Sequence, residues 1–299
     1  MPNHLKIIID FDGTLTAEEQ QSAVLAEKSL HTLAHEILGA PLEQLSDDYA
    51  ATRARLLQAP HLHWWEVNGL IASYSDEGAF ILNTTMLQVM LRENPDYAEA
   101  VAAAFPRAEY DPVVDCTNYL FHRHTAEIAP LFRPAARDVL LSLIEHPLRT
   151  PVILTNSLGD KVRSHLGALG LGELEEQVAV LGDTRQYDMD PDWQQTFPHP
   201  VCRWKRIQVW PVDELHHIDL RRPIYYRALL DAAADGSRLA VVADTFSLPG
   251  ALPLLMGIPF FLLRTEYTPA WCAGAVQAHP LGHILDDLAD LPAALDGLE

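Results

Sequence analysis

Two aspartates one residue apart, Asp10 and Asp12, stand directly behind the apolar run Ile7-Ile8-Ile9, in the stretch Asp10-Phe11-Asp12-Gly13-Thr14-Leu15-Thr16. Carboxylates this close repel each other unless a cation lies between them or one takes up a proton. Magnesium takes hard oxygen ligands and is commonly held by one or two carboxylates together with substrate phosphate, so it would relieve the conflict. Taken alone, the stretch reads equally well as a turn whose Asp side chains accept from nearby backbone N–H groups. Three other clusters accompany it. Thr155-Asn156-Ser157 follows Val152-Ile153-Leu154, Asp244-Thr245 follows Leu239–Ala243, and Arg221-Arg222-Pro223 opens the amphipathic stretch that leads into the latter. Each puts a hydroxyl, carboxylate or guanidinium at the end of a regular element.

The elements that must position these groups are legible as apolar, β-branched runs. Leu5–Ile9, Pro151–Leu154, Val178–Leu181, Leu239–Ala243 and Pro259–Leu263 have the composition of strands buried on both faces. Amphipathic stretches of helical length, Ala135–Ile144, Gly159–Leu169, Ile224–Ala234 and Pro249–Met256, lie between the later ones. The alternation predicts an α/β fold, a Rossmann-like parallel sheet with helices on both faces and ligands at the carboxyl ends of its strands. One gap interrupts it: about 115 residues separate the first strand from the helix before the second, far more than a loop in a compact domain. The gap is rich in helix formers over Glu18–Leu38, Leu42–Leu57, Thr85–Arg92, Tyr97–Ala104 and Val114–His124, which predicts an all-helical domain over residues 17–130 inserted into a core of 1–16 and 131–299. A smaller insertion, 182–221, carries several prolines and an apolar alternation at Ile207, Val209 and Val212, and reads as a loop bearing a hairpin.

The chain has 299 residues, 48% of them hydrophobic, with 41 acidic against 21 basic residues and a net charge of −20. That composition suits a soluble globular protein and disfavours nucleic acid and anionic membranes as partners. A small anionic substrate needs a local cation or metal. Cys116, Cys202 and Cys272 are far apart and unpaired in spacing, so they read as reduced thiols, and neither a disulfide framework nor zinc is implied. The first residues lack the pattern of a secretory signal, and the longest apolar run, Ala251–Leu263, is too short and too rich in proline and glycine to span a bilayer; a cytoplasmic location is expected.

In their order and placement the four clusters resemble the haloacid dehalogenase (HAD) superfamily of phosphatases and related hydrolases, over residues 1–16 and about 131–299. The resemblance implies that Asp10 is the nucleophile of an aspartyl-phosphate pathway, that Asp12 is the general acid and then base, and that Thr155 donates to a phosphoryl oxygen. It implies phosphate contacts from Thr14, Thr155, Asn156 and Arg222, and Mg2+ held by the Asp10 side chain, the Asp12 carbonyl and Asp244. Leu131-Phe132-Arg133-Pro134 resembles the segment by which such chains return from an inserted cap, and the helical insert after strand one corresponds to that cap. The expected activity is hydrolysis of a small phosphorylated metabolite, a phosphoric monoester. A different class of function, a capped scaffold that binds a phosphorylated ligand or a protein with little or no turnover, and other family chemistries such as phosphomutase or dehalogenase, stand as alternatives.

Two positions depart from the family pattern. Arg222 stands where a lysine is common before the proline, with Lys161 and Lys205 as rival cations whose plainer reading is exposed surface charge. Four and five residues after Asp244, where the family has a further acid, the chain has Leu248 and Pro249. The close pairs His61/His63, His122/His124 and His216/His217 read as loop or surface histidines, Asp188, Asp190 and Asp192 lack the glycine and terminal glutamate of a calcium loop, and Trp64-Trp65 suits either a pocket lining or the core of the insert.

Overall fold

The computed structural model describes residues 4–202 and 204–298, and the chain folds as two compact units. One comprises the segment through Ala17 together with everything from Pro130 onward, and the other is Glu18–Ala129.

The first unit is built on a parallel six-stranded sheet. Its strands are β1 (Leu5–Ile9), β2 (Arg149–Leu154), β3 (Ala179–Leu181), β4 (Arg238–Ala243), β5 (Phe260–Leu263) and β6 (Gly282–Leu285), in the spatial order β6-β5-β4-β1-β2-β3. Alternation of side chains along β1 divides the core in two, as a strand's period of two requires. Leu5, Ile7 and Ile9 meet Val139, Leu140 and Leu143 of the helix Ala136–Glu145 and Val162 and Leu166 of the helix Gly159–Gly167. Ile8, with Val152, Leu154, Val241 and Phe260, meets Tyr225 and Leu229 of the helix Pro223–Ala232 and Cys272 and Val276 of Ala270–Ala278. Helices therefore cover both faces, which is why these strands read as continuous apolar runs.

β6 escaped the sequence reading because Gly-His-Ile-Leu is short and only its last residue is buried. The insertion 182–221 holds two hairpins rather than one, pairing Phe197–Pro198 with Arg206–Ile207 and Val209–Pro211 with His217–Asp219.

The second unit is mostly helical, with helices Ser22–Thr32, Leu42–Gln58, Ala79–Glu93, Pro95–Ala104 and Pro112–Glu127 around Leu30, Leu33, Leu45, Leu87, Leu91, Val101 and Leu120. Two starts are written plainly in the sequence. Asn94 and Asp111 accept from the first free amides of their helices, at 3.0 Å from Asp96 N and 2.9 Å from Val113 N, and each precedes a proline at the first helical position. The expectation of an all-helical insert is corrected by an antiparallel hairpin, Trp64–Val67 with Leu70–Tyr74. Asn68 and Gly69 turn it with φ of +53° and +72°, the left-handed pair that favours Asn-Gly, so the signal was present and was outweighed by the helical composition around it. Trp65 lies buried in that hairpin, and His124, expected at the surface, is buried with Nε2 2.9 Å from the Thr32 hydroxyl. In the first unit His216 is likewise buried, stacked on Trp271. No described helix is long and apolar enough to cross a membrane.

Candidate active site

Three adjacent strands deliver the candidate residues. β1 is hydrogen-bonded to β4 on one side and β2 on the other, with Ile9 level with Val242 and with Ile153. Because the strands run parallel, the residues that follow them, Asp10, Asp244 and Thr155, emerge at one edge of the sheet. The Asp10 amide donates to the Val242 carbonyl at 3.0 Å, carrying the ladder one residue past β1. The chain then turns, with the Leu15 and Thr16 amides donating to the Phe11 carbonyl at 3.0 and 3.1 Å. Gly13 makes this turn with φ of +82°, and a Cβ there would lie 2.2 Å from Asp244 Oδ2. Only glycine satisfies both the conformation and the space.

On the β4 side the acids are crowded. Asp244 is 3% exposed, and the Thr14 hydroxyl accepts from its amide at 3.1 Å and donates to its Oδ1 at 3.3 Å. Burial first, and then the charge of Asp10, push the Asp244 carboxyl well above the ordinary carboxylate range, with Arg133 the main group opposing them. Arg133 donates from Nε and Nη2 to the Gly13 carbonyl at 2.9 and 2.5 Å, so it also fixes the turn.

On the β2 side donors gather instead. The Thr155 amide donates to the Leu181 carbonyl at 3.0 Å, and its hydroxyl accepts from the Ser157 amide at 3.1 Å. The fully buried Ser157 donates from Oγ to Asp12 Oδ2. Lys161, on the helix Gly159–Gly167, places Nζ 3.1 Å from Asp12 Oδ1, 3.4 Å from Oδ2 and 2.8 Å from Ser157 Oγ. Asn156 Oδ1 accepts from the Gln186 amide at 2.7 Å, and Arg222 donates from Nη1 to the Gln186 carbonyl at 3.0 Å. Arg222 is 1% exposed at the start of the helix Pro223–Ala232. One turn along, the Tyr225 hydroxyl is buried without a hydrogen-bond partner among the described residues; burial and the nearby Asp10 charge push it well above the usual phenol range, and Arg222 opposes the shift.

Several sequence-based expectations change on these facts. The Thr14 hydroxyl, expected to meet phosphate, is engaged with Asp244. Lys161, whose plainer reading was surface charge, is 9% exposed and hydrogen-bonded to Asp12. Lys205 is exposed beside the second strand of the 197–207 hairpin. Ser157, which carried no role of its own in the sequence, lies in the turn just before the helix that holds Lys161, and no local spacing rule foretells their contact. Leu248 and Pro249 are buried in an apolar turn whose Leu248 carbonyl accepts from the Thr245 hydroxyl, so no acid replaces the missing one there. Among the described residues no three His, Cys, Asp or Glu side chains gather as a metal cluster.

No family model matches the chain, and no curated protein matches it in sequence. Solved structures do resemble it. They include a phosphoglycolate phosphatase predicted in Haemophilus somnus, 14% identical, matching over 98% of this chain and 97% of that one with a TM-score of 0.48. A haloacid dehalogenase-like hydrolase from Streptococcus pneumoniae is 15% identical over 99% and 100% of the two chains, with a TM-score of 0.48. The HAD hydrolase YfnB from Bacillus subtilis, solved bound to magnesium, is 12% identical over 98% and 99%, with a TM-score of 0.47.

Proposed function

We propose that this chain is a magnesium-dependent phosphohydrolase of the HAD type, which removes the phosphoryl group of a small phosphorylated metabolite through an aspartyl-phosphate on Asp10. The observation that carries the reading is the meeting, at the ends of three adjacent parallel strands, of two neighbouring acids, the half-buried Asp10 and the buried Asp244, with a separate acid, Asp12, already held by hydrogen-bond donors. An ionised Asp10 needs positioning rather than activation, and the Val242 ladder bond supplies it. Its oxygen attacks phosphorus in line as the bond to the leaving oxygen breaks. Asp12 protonates that oxygen, then takes a proton from the water that cleaves the aspartyl-phosphate. Thr155 and Arg222 are assigned to the phosphoryl oxygens, with Arg222 supplying a permanent, forked charge in an otherwise acidic chain.

The residues present fit a divalent cation. The Asp244 carboxylate is packed where burial and the charge of Asp10 disfavour its ionised form, and the hard oxygens of Asp10, Asp244 and the Asp12 carbonyl are the donor set magnesium prefers. When bound, the ion supplies neutralisation of this pair and of the phosphoryl charge. The absence of an acid at Leu248 and Pro249 supports a weaker hold on it than a third carboxylate would give. The same absence favours the second reading, ligand binding without turnover. Discrimination among substrates is assigned to the inserted unit, Glu18–Ala129, and the cytoplasmic location follows as part of the same proposal.

The deciding experiment is phosphate release from a panel of phosphorylated metabolites by the purified protein, with and without magnesium. Release that depends on the metal is expected. Saturable binding of a panel member without release would favour the scaffold.

A further inference from the structure

The proposed function gives Asp12 two proton transfers, and a carboxylate on a turn can perform them only if its oxygens are aimed. We propose that Ser157 and Lys161 are the positioning residues that aim it, and that Gly182 sets the turn they stand on; the inference rests on the phosphohydrolase reading. Ser157 Oγ takes one oxygen of Asp12, Lys161 Nζ spans both at 3.1 and 3.4 Å, and the two donors are tied to each other at 2.8 Å. The three side chains form a closed triangle, so rotation of Asp12 about its χ angles breaks at least two contacts at once.

Both donors are themselves fixed. Ser157 is fully buried, and its amide donates to the Thr155 hydroxyl at 3.1 Å. The Lys161 ammonium also lies 6.0 Å from the centre of the Phe11 ring. The turn joining them rests on the end of β3: a Cβ at Gly182 would lie 2.2 Å from Gly159 N, 2.5 Å from Gly159 Cα and 2.8 Å from Ser157 O. Asp183 donates its amide to that same Ser157 carbonyl at 2.9 Å. Any side chain at 182 must displace the Ser157–Gly159 turn that carries both donors or the end of β3 on which it rests. The support runs from a strand end through a helix start to the acid, as a preorganised site requires.

Positioning of Asp12 matters in the leaving-group step for esters that need a proton and little for those that do not, whereas the proton taken from water is common to both, so kcat/KM, which reads only the leaving-group step, separates this role from phosphate binding. The test compares p-nitrophenyl phosphate with the best alkyl phosphate of the panel, in the full chain with magnesium. Lys161→Met and Ser157→Ala should each lower kcat on the alkyl ester roughly 10- to 100-fold, the scale of a catalytic group misplaced by about an ångström. KM should stay within about twofold and the aryl ester should lose less. Lys161→Arg should recover part of the alkyl rate. A rise in KM on both esters with Lys161→Met would make Lys161 a phosphate ligand and overturn the proposal, as would equal losses of kcat/KM on both. Should Lys161→Met fail to fold, Ser157→Ala removes the hydroxyl's bonds to Asp12 and Lys161 without stranding a charge and decides alone. If the unmodified protein releases phosphate from nothing, the phosphohydrolase reading fails by itself. Crystal structures of the unmodified chain and Ser157→Ala then decide this inference: a single Asp12 orientation that spreads in the variant is expected, and one unchanged by the substitution overturns it.

Discussion

The two sides of β1 are opposites. Toward β4, Asp10 sets its charge beside the buried Asp244, whose carboxyl is driven toward its neutral form, and the cation nearby, Arg133, also serves a backbone carbonyl. Toward β2, one acid is met by a serine hydroxyl and a lysine ammonium, which between them reach both its oxygens. Strands of nearly the same composition end in a surplus of negative charge on one side and of donors on the other. The lesson is that the sheet supplies only proximity; the residue or two after each strand decides whether an edge attracts a metal or holds a proton carrier.

The sharpest break of that contrast is Asp10→Asn, which keeps the shape of the shared acid and removes its nucleophilicity. Turnover should fall by more than about a thousandfold in a preparation whose circular dichroism is unchanged. Substantial remaining phosphatase activity would take Asp10 out of the reaction. Asp12→Asn acts on the donor side, where the loss should depend on the ester: roughly a hundred- to a thousandfold for alkyl phosphates and markedly less for aryl phosphates. Equal losses of kcat/KM, which reads only the leaving-group step, would mean that Asp12 contributes its backbone alone.

Arg222→Ala tests whether the donor side also clamps the substrate. One charge-assisted contact in a dry site is worth on the order of 2–4 kcal/mol, so kcat/KM should fall about a hundredfold, and Arg222→Lys should return part of it. A loss of only a few-fold would leave the clamp to another group. The smallest effect is one of stability. Folding raises the Asp244 pKa, so the folded chain holds that proton more tightly than the unfolded one, and stability from this group is greatest below the ordinary carboxylate pKa and drains away as pH rises through the folded value. At pH 8 without metal, Asp244→Asn should therefore melt about 2–4 °C higher than the unmodified chain, the shift that ~1 kcal/mol makes in a domain of this size. Magnesium should raise the melting temperature of the unmodified chain more than that of the variant. A variant that melts lower without metal would show that the acid pair carries no strain.

Much of this edge was legible because it depends on residue types at strand ends. Ile7-Ile8-Ile9 before Asp10 and Leu239–Ala243 before Asp244 announce both the strand and its cargo in one short window. Lys161 was not legible in the same way. A lysine on an amphipathic helix is ordinarily solvated, and its burial here depends on a helix start pressed against Gly182, a contact between segments far apart in the chain. The partner of Thr14 was hidden for a similar reason, since nothing local says that its hydroxyl will meet a carboxylate 230 residues on. The hairpin at Trp64–Tyr74 was missed although its Asn-Gly turn is a local signal, because five neighbouring helical stretches set the expectation for the whole insert.

The chain leaves the sheet unit and returns to it at adjoining points. Ala17 donates its amide to the Leu131 carbonyl at 2.8 Å, Arg133 donates to the Leu15 carbonyl at 2.9 Å, and Thr16 bridges Phe132 in antiparallel fashion. In the vocabulary of gene architecture, this is an insertion whose two splice points are stitched together. A tether of a few residues would seal the gap, because the ends already sit at hydrogen-bonding distance and closing a short loop between them adds little entropy cost. The 18–129 segment can therefore be exchanged as a cassette without re-registering β1 or the helix after the return.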